Sequence, residues 1–94
     1  MDDIAIEHEV DGHRFVARAP EGDAELRYRY ARSGALVLVH TGVPPSLEGH
    51  GLGARLVRTA LEFARDAGLR VKPLCPFAAR YIEEHPEYQP LVER

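Results

Sequence analysis

The sequence predicts a single α+β domain over residues 1–94, with its elements in the order ββββαβα. A chain of 94 residues allows one hydrophobic core and leaves no room for a second. Apolar residues recur at about every second position in the first half of the chain and at helical spacing in the second half. We therefore expect a compact, mostly antiparallel central sheet flanked by two helices.

The first two strands are predicted to form a hairpin. Ile4–Val10 alternates partly between apolar and polar residues, and His13–Arg18 resumes the strand pattern. Asp11-Gly12 lies between them, and both residues tolerate a positive φ, so we expect this pair to make the turn. A second turn is predicted at Pro20–Asp23, where proline and glycine occur close together.

The third and fourth strands differ in how their apolar residues are arranged. Ala24–Tyr30 has apolar or aromatic residues at alternate positions, which is typical of a strand with one face in water. Ser33-Gly34 predicts the turn that follows. Ala35–Thr41 is apolar at nearly every position, as expected for a central strand that is covered on both faces. The four strands together predict an antiparallel meander.

The pattern changes to helical spacing at Leu52. Apolar residues recur every three or four positions from there, and Gly68 follows as the expected end of this helix. A short strand is predicted at Leu69–Lys72. Because proline is favoured in the first turn of a helix, we expect the second helix at Pro76–Glu84.

The composition excludes several classes of protein. The formal net charge of −3 gives no general attraction to nucleic acid or to anionic membranes. Cys75 is the one cysteine, which excludes an internal disulfide and a cysteine-rich zinc site, and the histidines lack metal-ligand spacing. The longest apolar run, Ala35–Val39, is far shorter than the ~20 residues of a spanning helix. We predict a cytoplasmic protein, monomeric or weakly dimeric, that binds no metal.

Three glycines precede the long helix in the loop Gly49-His50-Gly51-Leu52-Gly53-Ala54. Without Cβ atoms the backbone of this loop can approach a bulky anion closely. The N–H groups of the helix N-terminus add hydrogen-bond donors and partial positive charge, so a pyrophosphate suits the loop. The simpler alternative is that the glycines only permit tight packing of the helix against a strand.

Two known glycine-loop motifs do not identify the ligand. A Walker P-loop requires lysine after its last glycine, where this sequence has Ala54. The glycine spacing matches a dinucleotide fingerprint, but no acidic residue ends the following strand. The chain also has a single βαβ unit, where a doubly wound dinucleotide fold needs several.

The sequence resembles the acetyl-CoA signature of the GNAT N-acetyltransferase superfamily. In that signature a V-x-P strand end leads into R/Q-x-x-G-x-G/A and opens a helix, and Val43, Pro45 and Glu48–Gly53 are similar to it. A small, compact GNAT-like branch is more similar still. Its motifs are matched at His40–Pro45, Pro73–Phe77, Tyr81 and His85–Tyr88.

Two residues depart from the family pattern. Glu48 stands where the superfamily has Arg or Gln, so its side chain is expected to point away from the phosphates. Gly42 stands where the small branch often has a larger, acidic residue, which removes one candidate general base.

By this resemblance the protein is an acetyl-CoA-dependent N-acetyltransferase that acts on an amine of a protein, a peptide or a small polyamine. The central strand is expected to splay from the strand after the long helix, with the pantetheine arm of CoA in the opening. The residues that the resemblance implies bind acetyl-CoA are Val39, Thr41, Val43, Gly49, His50, Gly51, Leu52, Gly53, Ala54, Pro76 and Phe77.

Three residues are candidates for catalysis, each with an alternative. Tyr81 is the candidate acid for the departing thiolate, or else a tyrosine that packs on the sheet. His40 is the candidate base for the amine, or else a hydrogen-bonded structural histidine. Cys75 is the candidate nucleophile, since a thiol at a helix N-terminus can have a lowered pKa, or else a thiol that lines the CoA site.

The acceptor side is expected to be open. Longer GNAT enzymes wall this side with helices between their first strands, and here a tight hairpin replaces them. Glu7, Glu9 and Glu25 either attract a cationic amine or form a solvated face. Besides the enzyme, two other functions fit the sequence, which are a CoA-binding module without catalysis and a small adaptor for other proteins.

Overall fold

The computed structural model describes residues 4–93, so residues 1–3 and 94 of the predicted domain lie outside it. The strands are β1 (Ile6–Glu9), β2 (Arg14–Ala19), β3 (Gly22–Tyr30), β4 (Leu36–Gly42) and β5 (Val71–Pro73). The helices are α1 (Leu52–Ala67) and α2 (Pro76–Glu84), with short 3₁₀ helices at Pro45–Leu47 and Pro86–Leu91. The predicted order ββββαβα is confirmed.

The strands form one sheet in the order β1-β2-β3-β4-β5. Neighbouring strands are antiparallel as far as β4, and β5 lies parallel to β4 because α1 connects the two as a crossover. The predicted α+β class with a mostly antiparallel sheet is therefore confirmed. Within residues 4–93, no helix is both long enough and apolar enough to cross a membrane.

Both helices pack on the same face of the sheet. Phe15, Leu26 and Leu38 are buried there in one cluster with the apolar stripe of α1. Ala78 and Ile82 of α2 belong to the same cluster. The stripe follows the helical spacing of the sequence, and its burial stabilises the fold by about 25 cal/mol for each Å² of apolar area removed from water.

The opposite face carries no helix among the described residues, and charged side chains line it instead. Val16 and Val37 are nevertheless buried on this face. Arg14 lies between Glu9 and Glu25, with N–O distances of 2.5 and 2.6 Å. The hydrogen bond from Arg14 lowers the pKa of Glu9 below its ordinary value. Two of the carboxylates considered for attracting an amine are therefore already paired with arginine.

The hairpin between β1 and β2 differs from the prediction. Its loop spans residues 10–13, and the residue in the left-handed conformation is His13, with φ at 51°, rather than Asp11 or Gly12. The His13 ring stacks on Tyr28, with centroids 5.3 Å apart. Histidine is one of the few non-glycine residues that adopt this conformation readily, and the aromatic contact selects it here.

Strand β4 separates from β5 after a few residues. β5 pairs with Leu36–Leu38, and the last link is a hydrogen bond of 2.9 Å from Cys75 N to Leu38 O. On the other side, β4 shifts its register against β3 at Val39, which forms a β-bulge. From there β4 continues to Gly42 with no neighbour on the β5 side among the described residues. The predicted splay of these strands is confirmed.

The C-terminal 3₁₀ helix, Pro86–Leu91, was not expected from the spacing of apolar residues. It packs on α1 through Tyr88, whose hydroxyl donates to Glu62 Oε2 at 2.6 Å. Arg65 lies over the Tyr88 ring, 5.0 Å from its centroid. The hydrogen bond to Glu62, together with burial, raises the pKa of Tyr88 to about 12. One aromatic side chain with a polar tip thus attaches this segment to α1.

Tyr88→Phe should lower the free energy of unfolding by about 1 kcal/mol at neutral pH, because it removes a hydrogen bond to a carboxylate. The pKa of Tyr88 in the folded protein, about 12, lies above the ordinary value of 10.0. The stabilisation is therefore complete below the ordinary pKa and is lost as the pH rises through the folded-state value. Urea denaturation of wild type and Tyr88→Phe at neutral and alkaline pH measures this stabilisation. Equal free energies of unfolding at neutral pH would contradict a stabilising hydrogen bond between Tyr88 and Glu62.

Candidate functional site

A groove of about 420 Å³ lies where β4 runs beyond β5 and approaches the start of α1. It is lined by Thr41, Val43, Leu47, Glu48, Gly49, Gly51, Leu52, Gly53, Ala54 and Phe77. Of the residues predicted to bind a cofactor, Val39, His50 and Pro76 lie outside this lining, and the others belong to it. Leu47 was not expected here; the short 3₁₀ helix before α1 buries it and fixes one wall.

The three glycines of the loop have different roles. Gly49 and Gly51 adopt left-handed φ values of 85° and 79°, and a Cβ atom on either would meet no atom within 4 Å. The backbone shape requires these two, and the space in front of them is open. Gly53 lies within α1, and a Cβ atom there would be 2.8 Å from Cζ of Phe77. Gly53 is therefore explained by tight packing of α1, and the packing partner is the second helix, α2, rather than a strand.

The N-terminus of α1 reaches this groove without a capping side chain. Its N-cap residue is Gly51, and the N–H groups of Leu52, Gly53 and Ala54 have no acceptor among residues 4–93. Together, the free N–H groups at a helix N-terminus carry roughly half a positive charge, and helix ends of this kind bind phosphate or carboxylate groups. Glu48, which departs from the family pattern, belongs to the lining of this groove.

Cys75 lies where β4 separates from β5, as the N-cap residue of α2. It is 4% exposed, and its thiol donates to Oγ1 of Thr41 at 3.4 Å. Burial raises the pKa of this thiol, but the hydrogen bonds that the Thr41 hydroxyl and the N–H groups of Ala78 and Phe77 donate to the ionised form, the thiolate, outweigh burial. The pKa of Cys75 therefore lies below its ordinary value, and the thiol beside the groove is predisposed to ionise.

Tyr81 lies on α2 and His40 lies on β4. Tyr81 faces α1, and its ring stacks on His85 with centroids 3.9 Å apart. Burial raises the pKa of Tyr81. His40 points to the helix-free face, because Thr41 beside it lines the groove and side chains alternate along a strand. Cys75 and Tyr81 belong to the same buried cluster, whereas His40 is exposed, and no hydrogen bond joins any two of these three side chains within residues 4–93.

A second groove, of about 280 Å³, lies between α1 and α2. It shares Ala54 and Phe77 with the first groove, so the two grooves adjoin each other. The rest of its lining is Arg55, Arg58, Arg80, Tyr81, Glu84 and His85. Sequence reasoning missed this cationic groove, since the helical pattern puts Arg58 on the solvent side of α1. The available signal was Arg80, which follows Phe77 by one helical turn.

Sequence comparison relates the chain to known proteins. A sequence model of the GCN5-related N-acetyl-transferase family matches residues 14–91. Protein NATD1 of Gallus gallus is 29% identical over 85 residues, which cover 88% of this chain and 77% of the chicken protein. Protein NATD1 of Homo sapiens is also 29% identical over 85 residues, covering 88% of this chain and 75% of the human protein.

The fold is similar to that of a GCN5-like protein from Staphylococcus aureus whose solution structure was determined by NMR. The two chains are 28% identical with a TM-score of 0.76, and the match covers 99% of this chain and 91% of the other. The family match spans more than half of the chain and includes the glycine loop, Cys75 and both grooves. The chain therefore belongs to the GCN5-related N-acetyltransferase family.

Proposed function

We propose that the protein transfers an acetyl group from acetyl-CoA to an amine of a protein, a peptide or a small polyamine in the cytoplasm. The observation that carries this proposal is the uncapped N-terminus of α1 beside the opening between β4 and β5. Family membership supports acetyltransferase chemistry in general. The groove supports the specific choice of CoA, because it combines donors for an anion with a strand edge for an extended chain.

The first groove fits the inner part of CoA. An anionic diphosphate at the first-turn N–H groups of α1 would gain hydrogen bonds and the field of the helix dipole. The backbone at Gly49 and Gly51 leaves open space for it. The main chain of Val39, Thr41 and Val43 has no strand on the β5 side, so it can pair with the pantetheine amides as an added strand would. When bound, acetyl-CoA supplies an acetyl group activated as a thioester.

We assign the thioester end of the groove to Cys75 and Thr41. Their hydrogen bond lies where β4 and β5 part, so both side chains can stabilise charge that develops on the thioester or on the departing thiolate. We propose direct transfer to the amine, with Cys75 lining the site. A covalent route through Cys75 is the alternative, and the buried position of the thiol leaves little room for it.

The acceptor amine is proposed to enter from the helix-free face of the sheet. His40 is exposed on that face and neighbours Thr41 along β4, which suits it to take the proton of the amine directly or through water. No helix covers this side among residues 4–93, so a protein or peptide can reach it. Because Glu9 and Glu25 are paired with Arg14, they do not supply a free acidic surface for a cation.

Packing explains Tyr81 better than catalysis does. Its ring is stacked on His85 and lines the second groove, whereas Thr41 lines the first groove on the other side of Phe77. A CoA-binding module without turnover is the second candidate function. The lack of a hydrogen bond between any two of His40, Cys75 and Tyr81 within the described part of the chain favours this module.

Release of CoA in the presence of amines separates the enzyme from the module. With acetyl-CoA and a panel of peptides and polyamines, we expect release above background. Cys75→Ala should lower it about tenfold or more by removing a polar group at the thioester, and Tyr81→Phe should change it less than about twofold. Tight binding of CoA without release would support the module instead. In intact-mass spectrometry during turnover, an acetylated Cys75 would contradict direct transfer.

Gly51→Val should abolish CoA binding, because a branched side chain at a left-handed position projects into the open groove. Gly34→Val is a matched control, since Gly34 also has a positive φ, 91°, and open space around its Cβ position, but lies in a distant turn. Both variants should lose a similar amount of stability, about 1–2 kcal/mol. Calorimetric titration with CoA measures binding, and equal affinities for the two variants would contradict the diphosphate site.

Thr41→Val should raise the pKa of Cys75, because valine keeps the shape of threonine but donates no hydrogen bond to the thiolate. The pH dependence of the ultraviolet absorbance of the thiolate, measured against Cys75→Ala as the blank, reports this pKa without a reagent having to reach the buried thiol. The profile of the variant should move to higher pH relative to wild type. An unchanged profile would show that Thr41 does not tune the thiol.

A further inference from the structure

The second groove holds more positive charge than its surroundings neutralise. Arg55 and Arg58 of α1 and Arg80 of α2 line it, against the single carboxylate of Glu84. Arg55 is held by a hydrogen bond of 2.8 Å from its Nη2 to the carbonyl oxygen of Ile4. Arg58 and Arg80 are exposed, and the structure of residues 4–93 gives neither of them an ion pair. The groove therefore presents two guanidinium groups that lack a protein partner in this range.

This surplus of charge is not a property of the whole chain. The protein has a formal net charge of −3. Other arginines, such as Arg14, Arg18 and Arg65, lie in ion pairs with glutamate. A cationic groove in an acidic protein therefore points to an anionic ligand.

The cationic groove begins one helical turn from the proposed diphosphate site. Arg58 follows Ala54 by four residues on α1, and Arg80 follows Phe77 by three residues on α2. Such spacings put side chains next to one another on one face of a helix. Ala54 and Phe77 line both grooves, so a ligand bound at the N-terminus of α1 lies next to the groove that holds the two arginines.

We propose that Arg58 and Arg80 bind the 3′-phosphate of coenzyme A and make the protein select CoA over dephospho-CoA. This inference rests on the proposed function, because it takes the diphosphate to lie at the start of α1. In CoA a single ribose separates the diphosphate from the 3′-phosphate, which matches the step of one helical turn between the two sites. A phosphate dianion is the group that paired guanidinium forks bind best.

Titration calorimetry with CoA and with dephospho-CoA tests the proposal. Wild type should bind CoA about tenfold or more tightly than dephospho-CoA, since each charge-assisted hydrogen bond contributes on this scale. In Arg58→Gln/Arg80→Gln the affinity for CoA should fall to that for dephospho-CoA, which itself stays unchanged. In wild type, raising the salt concentration should weaken binding of CoA more than binding of dephospho-CoA. In Arg58→Gln/Arg80→Gln this difference between the two ligands should disappear.

Arg29→Gln/Arg32→Gln is the matched control, because it removes the same charge at exposed positions on β3 and in the turn before β4. This control should keep the wild-type preference for CoA. Equal binding of both ligands by wild type, or a preference that survives in Arg58→Gln/Arg80→Gln, overturns the 3′-phosphate site while the proposed function stands. Failure of wild type to bind either ligand overturns both.

Discussion

The functional surface of this protein depends on the point at which β4 loses its neighbour. β5 pairs with three residues of β4 and then ends at Pro73, which has no N–H to continue the ladder. The β-bulge at Val39 turns β4 further away at the same level. The main-chain N–H and C=O groups along the rest of β4 therefore have no strand partner on the β5 side. An extended ligand in the groove can form hydrogen bonds with them.

The two helices complete this opening in different ways. α1 ends at the groove with uncapped N–H groups and supplies charge without a charged side chain. α2 begins at Cys75 and brings Phe77 against Gly53, so that the helices touch where the two grooves meet. The proposed diphosphate site and the cationic groove are adjacent because Gly53, which has no side chain, lets the ring of Phe77 approach α1.

Periodicity predicted most of the fold from the sequence, since burial of β3, α1 and α2 follows patterns that are local along the chain. The bounds of α2 and the glycine loop before α1 were also predicted, because proline and glycine act locally along the chain. The positive φ expected at Asp11-Gly12 occurs at His13 instead, where the ring contacts Tyr28 from another strand. The role of Gly53 and the groove around Arg58 and Arg80 could not be predicted, because they depend on how α2 packs against α1.

We expect acetyl-CoA to occupy the opening between β4 and α1. Amide chemical shifts in an NMR titration with acetyl-CoA test this most directly, since they report which parts of the backbone the ligand contacts. We expect large changes at residues 49–54 and at Thr41 and Val43, with little change in β1. No changes, or changes confined to β1 and β2, would contradict it.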